Sequence, residues 1–223
     1  MSFIEQKARD VSRPMLEAIG RTLARWNVSP NWITFLGLVL TTGVAVLVAR
    51  GAIRWAGLAY VFAAACDAMD GSLARVSGKG SRFGAFLDST IDRFEESVVF
   101  LGLIVYYTQV GGQLEIPLIL AATVGSLMVS YTRARAEALG VACPVGLMTR
   151  PPRVALMILG LLLDQLCITL AILAITSLLT SFHRIYHVWR KTGGEAGGWA
   201  LPLEPFITQG LEVLKRDDQG EVL

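Results

Sequence analysis

Long apolar stretches recur along the chain between residues 31 and 189, and short runs of charged residues, glycine and proline separate them. A helix needs about 20 mostly apolar residues to cross a bilayer, so each stretch is a candidate membrane span. The predicted spans cover residues 31–48, 55–76, 83–107, 114–138, 153–166 and 168–189. The pattern therefore predicts an all-α integral membrane protein with six transmembrane helices.

The fifth predicted span is shorter than the others. Its uninterrupted apolar part covers only residues 154–163, which is less than a single crossing normally requires. Residues 153–189 are therefore consistent with two transmembrane helices, or with a re-entrant hairpin that enters and leaves the same face of the membrane.

A helix with one apolar face is predicted before the first span, with Pro14 at a favoured position in its first turn. Its apolar positions are Met15, Leu16, Ile19, Leu23 and Trp26. The other face carries Arg13, Arg21 and Arg25, a composition typical of an amphipathic interfacial helix on the inner leaflet. A soluble helix packed on a partner is the less favoured alternative, since a membrane span follows directly.

These patterns divide the chain into three parts. Residues 1–30 form the predicted juxtamembrane amphipathic helix, residues 31–191 a six-helix membrane domain, and residues 192–223 a flexible cytoplasmic tail. The tail begins with the glycine-rich segment 192–198, whose composition is typical of a flexible linker.

Lysine and arginine near the span ends predict the orientation in the membrane, because cytoplasmic loops carry the excess of positive charge. The basic residues predicted on one side are Arg21, Arg25, Arg75, Lys79, Arg82, Arg133, Arg135, Arg150, Arg153, Arg184, Arg190 and Lys191. The other side has only Arg50 and Arg54. Both termini are therefore expected in the cytoplasm, with the protein in the cell (inner) membrane.

Composition agrees with a membrane protein and excludes several classes. Of the 223 residues, 53% are hydrophobic and 17% charged, whereas about 25% is usual for soluble domains, and the mean hydropathy is +0.54. A net charge of +2 does not suggest a nucleic-acid partner. Three cysteines without CxxC spacing support neither a disulfide framework nor a zinc site. No removable signal peptide is visible at the N-terminus.

Acidic residues occur where a membrane span should exclude them. Asp67 and Asp70 lie toward the end of the second predicted span, and Asp88 and Asp92 lie within the third. Spacings of three and four residues place each pair on one face of its helix, so the two faces are expected to meet. Ionisable side chains inside a membrane are costly and usually mark a functional site.

Four neighbouring carboxylates repel one another strongly in a medium of low dielectric constant. Arg75 and Arg93 are too few to neutralise them, and oxygen donors without histidine or cysteine favour Mg²⁺, with Mn²⁺ as an alternative. Intramembrane salt bridges are the competing interpretation, which we rank lower because buried ion pairs stabilise poorly. Glu95 and Glu96 are expected only to support the metal ligands from behind or to form hydrogen bonds between helices.

The complete pattern is Asp67-x-x-Asp70-Gly71-x-x-Ala74-Arg75, eight residues, and then Gly84-x-x-x-Asp88-x-x-x-Asp92. It resembles the signature of the CDP-alcohol phosphatidyltransferase family, and the resemblance extends over residues 14–189. It implies six membrane helices, usually a homodimer, and transfer of a phosphatidyl group from a CDP-lipid to an alcohol with release of CMP. It further implies two Mg²⁺ ions held by Asp67, Asp70, Asp88 and Asp92, with Asp92 as the general base.

The resemblance also assigns residues that contact the CDP-lipid. They are Asn31, Trp32, Ile33, Thr34, Gly71, Arg75 and Ser81. Capping of the first helix is a simpler role for Asn31 and Thr34, and it is compatible with CDP-lipid binding.

Several arginines are predicted on the same side as the aspartates, which suits an acceptor that carries a phosphate. The arrangement is similar to that of phosphatidylinositol-phosphate synthases, and this similarity implies an acceptor-phosphate site formed by Ser130, Arg133, Arg153 and Arg184. Positive-inside anchoring is an equally good interpretation of Arg150 and Arg190.

The leading hypothesis is an enzyme that joins CDP-diacylglycerol, or a related CDP-lipid, to myo-inositol phosphate. Glycerol 3-phosphate is the alternative acceptor, and the product would then be phosphatidylglycerol phosphate. A hypothesis of another class is an intramembrane protein that binds or transports divalent cations through the same aspartates. The apolar second half of the third span, residues 98–105, argues against a conduction path.

Overall fold

The computed structural model describes residues 29–77 and 81–193, and within these ranges the chain is entirely helical apart from short connections. Six helices are described: α1 (Pro30–Ala49), α2 (Ile53–Ser77), α3 (Arg82–Val110), α4 (Glu115–Ala138), α5 (Arg150–Leu163) and α6 (Leu166–Thr192). The all-α prediction is confirmed, and each described helix overlaps one predicted span, although α5 begins and ends three residues before the predicted span 153–166. The predicted interfacial helix and the tail lie outside the described residues, except for their edges at 29–30 and 192–193.

Three of these helices are long and apolar enough to cross a membrane. They cover Asn31–Ala49, Glu115–Ala138 and Leu166–Thr192, with mean hydropathies of 2.2, 1.4 and 1.9. Helices α2 and α3 are also long, but they carry the charged residues of the sequence motif. Helix α5 has 14 residues, which extend about 21 Å at 1.5 Å per residue.

The helix ends follow from local sequence. Pro30 lies in the first turn of α1, where its missing N–H would have no intrahelical partner. Ser81 caps α3 by accepting a hydrogen bond from the Gly84 N–H at 2.9 Å, and Gly111 ends α3 with a φ of 83°. Helix α5 begins at Arg150 with prolines in its first turn. The prolines fix the start of the helix and therefore the position of the Arg150 backbone.

The bundle is organised around α1, which packs against both α2 and α3. Helix α5 packs against α2, and α6 packs along α4. The buried core contains Val44 and Val48 of α1, Leu103 of α3, Leu161 of α5 and Leu170 of α6. Large apolar side chains such as Trp55, Phe62 and Phe182 lie exposed on the outside of the bundle, as expected for a surface that faces lipid.

The loop of residues 139–149 joins α4 to α5 and is tied to the bundle by side chains of the last two helices. Arg184 Nε donates to the Val145 carbonyl at 2.8 Å, and Arg153 Nη1 donates to the Met148 carbonyl at 2.9 Å. The Met148 N–H donates to Thr180 Oγ1 at 3.3 Å. These contacts hold the backbone immediately before Arg150.

Gly102 allows α3 to lie directly against α1. A methyl group at this position would lie 2.5 Å from the Ala45 carbonyl oxygen and 2.9 Å from its Cα, both of them backbone atoms that cannot rotate away. Because α3 also bears Asp92 and Glu95, this close contact with α1 helps to fix the position of their carboxylates.

We expect Gly102→Ala to lower the free energy of unfolding by about 1 to 3 kcal/mol, because the added methyl group must push the two helices apart. Gly43→Ala is the matched control, since a methyl group there meets no atom within 4 Å, and the better helix propensity of alanine should leave stability unchanged or slightly higher. Thermal unfolding of the full chain in detergent measures both. Equal melting temperatures for the two variants would contradict the close packing of α1 on α3.

Candidate active site

Three carboxylates from two helices meet at one place in the bundle. Asp67 of α2 and Asp92 and Glu95 of α3 each offer an oxygen, and these oxygens lie within 4.8 Å of one another. Their side chains are largely buried, with exposed fractions of 14%, 14% and 4%. The predicted meeting of Asp67 with Asp92 is therefore present, and we call these three residues the carboxylate cluster.

The other two aspartates of the motif are described in part. Asp88 lies one turn before Asp92 on α3 and is half-buried. Asp70 lies on α2, three residues after Asp67. Its side chain, that of Arg75 and the surroundings of Gly71 are outside the described part. The two acidic helices meet because α1 packs against both of them, an arrangement that helical spacing alone does not predict.

An arginine from a distant part of the sequence enters the carboxylate cluster. Arg150 Nη1 donates to Asp67 Oδ2 and lies 2.6 Å from Asp92 Oδ1, while Nη2 donates to Glu95 Oε2 at 2.6 Å. From the sequence, Arg150 is expected either in the basic cluster near the acceptor or as a positive charge that anchors the cytoplasmic side, and not among the aspartates. Its partner Asp67 is 83 positions away, so no local pattern could have identified this contact.

Among the described residues, Arg93 is a second positive charge close to the carboxylate cluster. Its Nη1 donates to the Ser89 carbonyl on its own helix and lies 3.5 Å from Asp92 Oδ2. This distance is longer than a hydrogen bond, and the side chain is 35% exposed. Arg93 therefore lies at the edge of the carboxylate cluster, whereas Arg150 lies within it.

The donor atoms of the carboxylate cluster fit a hard divalent cation. All of them are carboxylate oxygens, which Mg²⁺ and Mn²⁺ prefer. Asp67 Oδ1 is buried and forms no hydrogen bond within the described part of the chain, so it keeps its capacity to bind a cation. A buried oxygen that lacks a partner is costly unless a ligand satisfies it.

A second buried ion pair lies beside the carboxylate cluster. Arg153 Nε and Nη2 donate to the two oxygens of Glu96 at 2.7 and 2.9 Å, and this bidentate pair joins α5 to α3. Glu96 thus has the interhelical role expected from its sequence position. Arg153 is only 2% exposed, and in this conformation its guanidinium is directed to Glu96 and the Met148 carbonyl rather than to an open site.

The remaining residues of the predicted acceptor site differ in exposure. Arg184 is 2% exposed and donates to the carbonyls of Val145 and Val129. Ser130 follows Val129 on α4 and is half-buried. Arg133 is exposed, and its Nε donates to Glu137 at 2.8 Å. The structure therefore brings Arg184 next to α4. It also gives both buried arginines, Arg153 and Arg184, protein partners that could not be predicted from the sequence.

The residues predicted to contact a CDP-lipid lie partly together at the starts of α1 and α3. A methyl group on Gly84 would lie 3.1 Å from Ser81 Oγ and 3.3 Å from Asn31 Oδ1, so this glycine lets the two helix ends approach. Ile33 and Thr34 are buried, whereas Trp32 is 73% exposed. Ser81 also has the capping role described above.

Comparison with known proteins identifies the family. The profile of the CDP-alcohol phosphatidyltransferase family matches residues 27–185. An archaetidylinositol phosphate synthase of Pyrococcus horikoshii is 33% identical over 186 residues, covering 83% of this chain and 96% of the relative. A phosphatidylinositol phosphate synthase of Corynebacterium glutamicum is 34% identical over 168 residues, covering 74% and 76%.

Solved structures agree with the sequence relatives. The phosphatidylinositol phosphate synthase PgsA1 of Mycobacterium tuberculosis, crystallised with CDP-DAG bound, superposes with a TM-score of 0.76 and is 29% identical, covering 84% of this chain and all of that chain. The same enzyme in complex with manganese and citrate gives a TM-score of 0.73, with coverage of 84% and 94%. The sequence motif, the profile and the shared fold agree that the chain is a membrane transferase, and it belongs to the CDP-alcohol phosphatidyltransferase family.

Proposed function

We propose that the protein transfers the phosphatidyl group of CDP-diacylglycerol, or of a related CDP-lipid, to a hydroxyl group of myo-inositol phosphate. The products are phosphatidylinositol phosphate and CMP. The observation that carries this proposal is the meeting of Asp67 and Asp92, from the two halves of the motif, in one buried carboxylate cluster. Relatives named as archaetidylinositol and phosphatidylinositol phosphate synthases support the choice of acceptor.

The four aspartates of the motif would hold the metal ions of this reaction. Two Mg²⁺ ions are proposed at Asp67, Asp70, Asp88 and Asp92, and Mn²⁺ would also suit these ligands. When bound, they would neutralise the diphosphate of the CDP-lipid and stabilise the charge that develops on the departing CMP. Two observations support this assignment: Asp67 Oδ1 has no hydrogen-bond partner among the described residues, and a relative has been crystallised in complex with manganese.

Asp92 is proposed as the general base. Its carboxylate would accept the proton of the acceptor hydroxyl while that oxygen forms a bond to the lipid-bearing phosphorus. The bond between this phosphorus and the oxygen of CMP breaks in the same displacement, and CMP leaves with its electron pair. Burial of Asp92, with 14% of its side chain exposed, keeps bulk water from competing for that position.

The CDP-lipid would be bound at the starts of α1 and α3. Asn31 and Ser81 are brought together there by Gly84, and the resemblance adds Ile33, Thr34, Gly71 and Arg75. Trp32 is exposed at the same helix end, where an aromatic side chain suits the boundary between lipid and water.

The acceptor phosphate is proposed to lie among Ser130, Arg133, Arg153 and Arg184. Arg133 is already exposed and would meet the phosphate first. Arg153 and Arg184 would then exchange part of their contacts with Glu96 and with loop carbonyls for phosphate oxygens. Arginine suits this exchange because its guanidinium presents several donors in one plane.

The membrane arrangement is part of the proposal. Six spans with both termini in the cytoplasm, an interfacial helix over residues 1–30 and a cytoplasmic tail over residues 192–223 agree with the distribution of basic residues. The active site would then face the cytoplasm in the cell membrane. A homodimer is proposed from the family resemblance.

The acceptor is tested by measuring CMP release from CDP-diacylglycerol with Mg²⁺ and four acceptors in parallel: inositol phosphate, glycerol 3-phosphate, inositol and serine. We expect release with inositol phosphate, because a phosphate group can replace part of the protein contacts of the arginines and because the relatives are named as archaetidylinositol and phosphatidylinositol phosphate synthases. Release with glycerol 3-phosphate alone would replace the acceptor but keep the mechanism. Uptake of metal into vesicles without CMP release from any CDP-lipid would contradict the transferase and favour cation transport.

The base is tested with Asp92→Asn. We expect turnover to fall by about two orders of magnitude or more, which is typical of the loss of a general base, while CDP-diacylglycerol binding at saturating Mn²⁺ is retained. Asp164→Asn is the matched control, because Asp164 is an exposed aspartate between α5 and α6 with a φ of 57°, a conformation that asparagine tolerates. If Asp92→Asn turned over as fast as Asp164→Asn, Asp92 could not be the general base.

A further inference from the structure

The position of Arg150 Nη1 is unusual because one nitrogen contacts two aspartates from two different helices. It donates to Asp67 Oδ2 and lies 2.6 Å from Asp92 Oδ1. A cation that joins α2 to α3 through the two aspartates would bind between these two carboxylates, in the space that Nη1 occupies. The guanidinium and a divalent ion therefore compete for one place.

The rest of the Arg150 side chain is held differently from the other buried arginines. Arg153 and Arg184 donate to backbone carbonyls of the loop 139–149, which fixes their guanidinium groups. Arg150 Nε is buried and forms no hydrogen bond in the part of the chain that the structure describes. Among the described residues, the Arg150 guanidinium contacts carboxylates alone, so the group can turn without breaking a backbone contact.

Glu95 provides a contact for Arg150 that does not depend on the aspartates. It lies outside the four-aspartate motif, is the most deeply buried member of the carboxylate cluster at 4% exposure, and accepts from Nη2 at 2.6 Å. A methyl group on Gly37 of α1 would lie 2.8 Å from Glu95 Oε1, so the backbone of α1 packs closely against this carboxylate. Glu95 is therefore held in place whether or not Nη1 remains on Asp67 and Asp92.

We propose that Arg150 is a built-in counter-ion that neutralises the carboxylate cluster in the metal-free protein and that a divalent metal must displace from Asp67 and Asp92. Nη2 would keep its hydrogen bond to Glu95 when Nη1 leaves the two aspartates, so the guanidinium would stay beside the metal site. This inference rests on the proposed function, because it requires that the aspartates bind a metal. Arg150 is thus a positioning residue that sets the metal affinity of the enzyme.

Mn²⁺ binding to the full chain in detergent tests the proposal without any measurement of activity. Isothermal titration or the EPR signal of free Mn²⁺ gives the Kd. We expect Arg150→Gln to bind Mn²⁺ about tenfold more tightly than the wild type, or tighter still, because removing a charge-assisted contact from the ligands has a value of this order. Its melting temperature in EDTA should fall, because the carboxylates lose their counter-ion.

Arg93→Gln is the matched control, because it removes the same charge 3.5 Å from Asp92 without vacating a ligand position. We expect its Kd to fall by no more than about threefold, the effect of a partly exposed charge. Equal tightening in the two variants would overturn the proposal in favour of a general field effect. An unchanged or weaker Kd in Arg150→Gln would also overturn it, since a purely structural role loosens metal binding.

Asp67→Asn separates this proposal from the proposed function. One possible result is that the wild type binds Mn²⁺, Asp67→Asn does not, and Arg150→Gln has an unchanged Kd. This result would overturn the counter-ion role of Arg150 but leave the proposed metal site in place. A wild type that binds no Mn²⁺ would overturn both. Should Arg150→Gln fail to fold, Arg150→Lys decides, because lysine keeps the charge but presents it on a flexible chain without the planar fork of the guanidinium, so it holds the carboxylates less firmly. A tighter Kd than that of the wild type supports the proposal, and an equal or weaker Kd overturns it.

Discussion

Electrostatic repulsion between buried carboxylates is the constraint on which the rest of the structure depends. Asp67, Asp92 and Glu95 place three negative charges within a few ångströms of one another, in surroundings where such charges interact far more strongly than in water. A bundle that brings them together must supply positive charge to the same place. Arg150 does so here, and a divalent metal would do so more completely because it carries two charges on a smaller ion.

The architecture serves this requirement at each level. Gly102 lets α3 lie against α1, and the contacts of α1 with both acidic helices bring Asp67 and Asp92 to one place. The loop 139–149 is fixed by Arg184 and Arg153, so that α5 begins where Arg150 can reach the carboxylates. The starts of α1 and α3 lie together, so Asn31 is close to Ser81 and Gly84. Gly84 in turn precedes Asp88 by one helical turn.

Much of the fold and the centre of the site could be predicted from the sequence, because both depend on local spacing. Apolar runs separated by breakers predicted the six helices, and intervals of three and four residues identified the acidic faces. The partners of the arginines could not be predicted in this way. Arg150 and Asp67 are 83 positions apart, and Arg153 and Glu96 are 57 apart, so their pairing depends on how α5 packs against the other helices. The same information was lacking for Arg184, whose contacts are with backbone carbonyls that carry no sequence signal.

The most direct test of this interpretation is the melting temperature of the full chain in detergent as Mn²⁺ is added. A cation that binds the folded carboxylate cluster must stabilise the folded state in proportion to the logarithm of its concentration. The wild type is predicted to gain roughly 5 to 10 °C at about a hundred times Kd, and a variant that combines Asp67→Asn with Asp92→Asn is predicted to gain none. An equal gain in both proteins would show that the metal acts elsewhere and would contradict the central role of the carboxylate cluster.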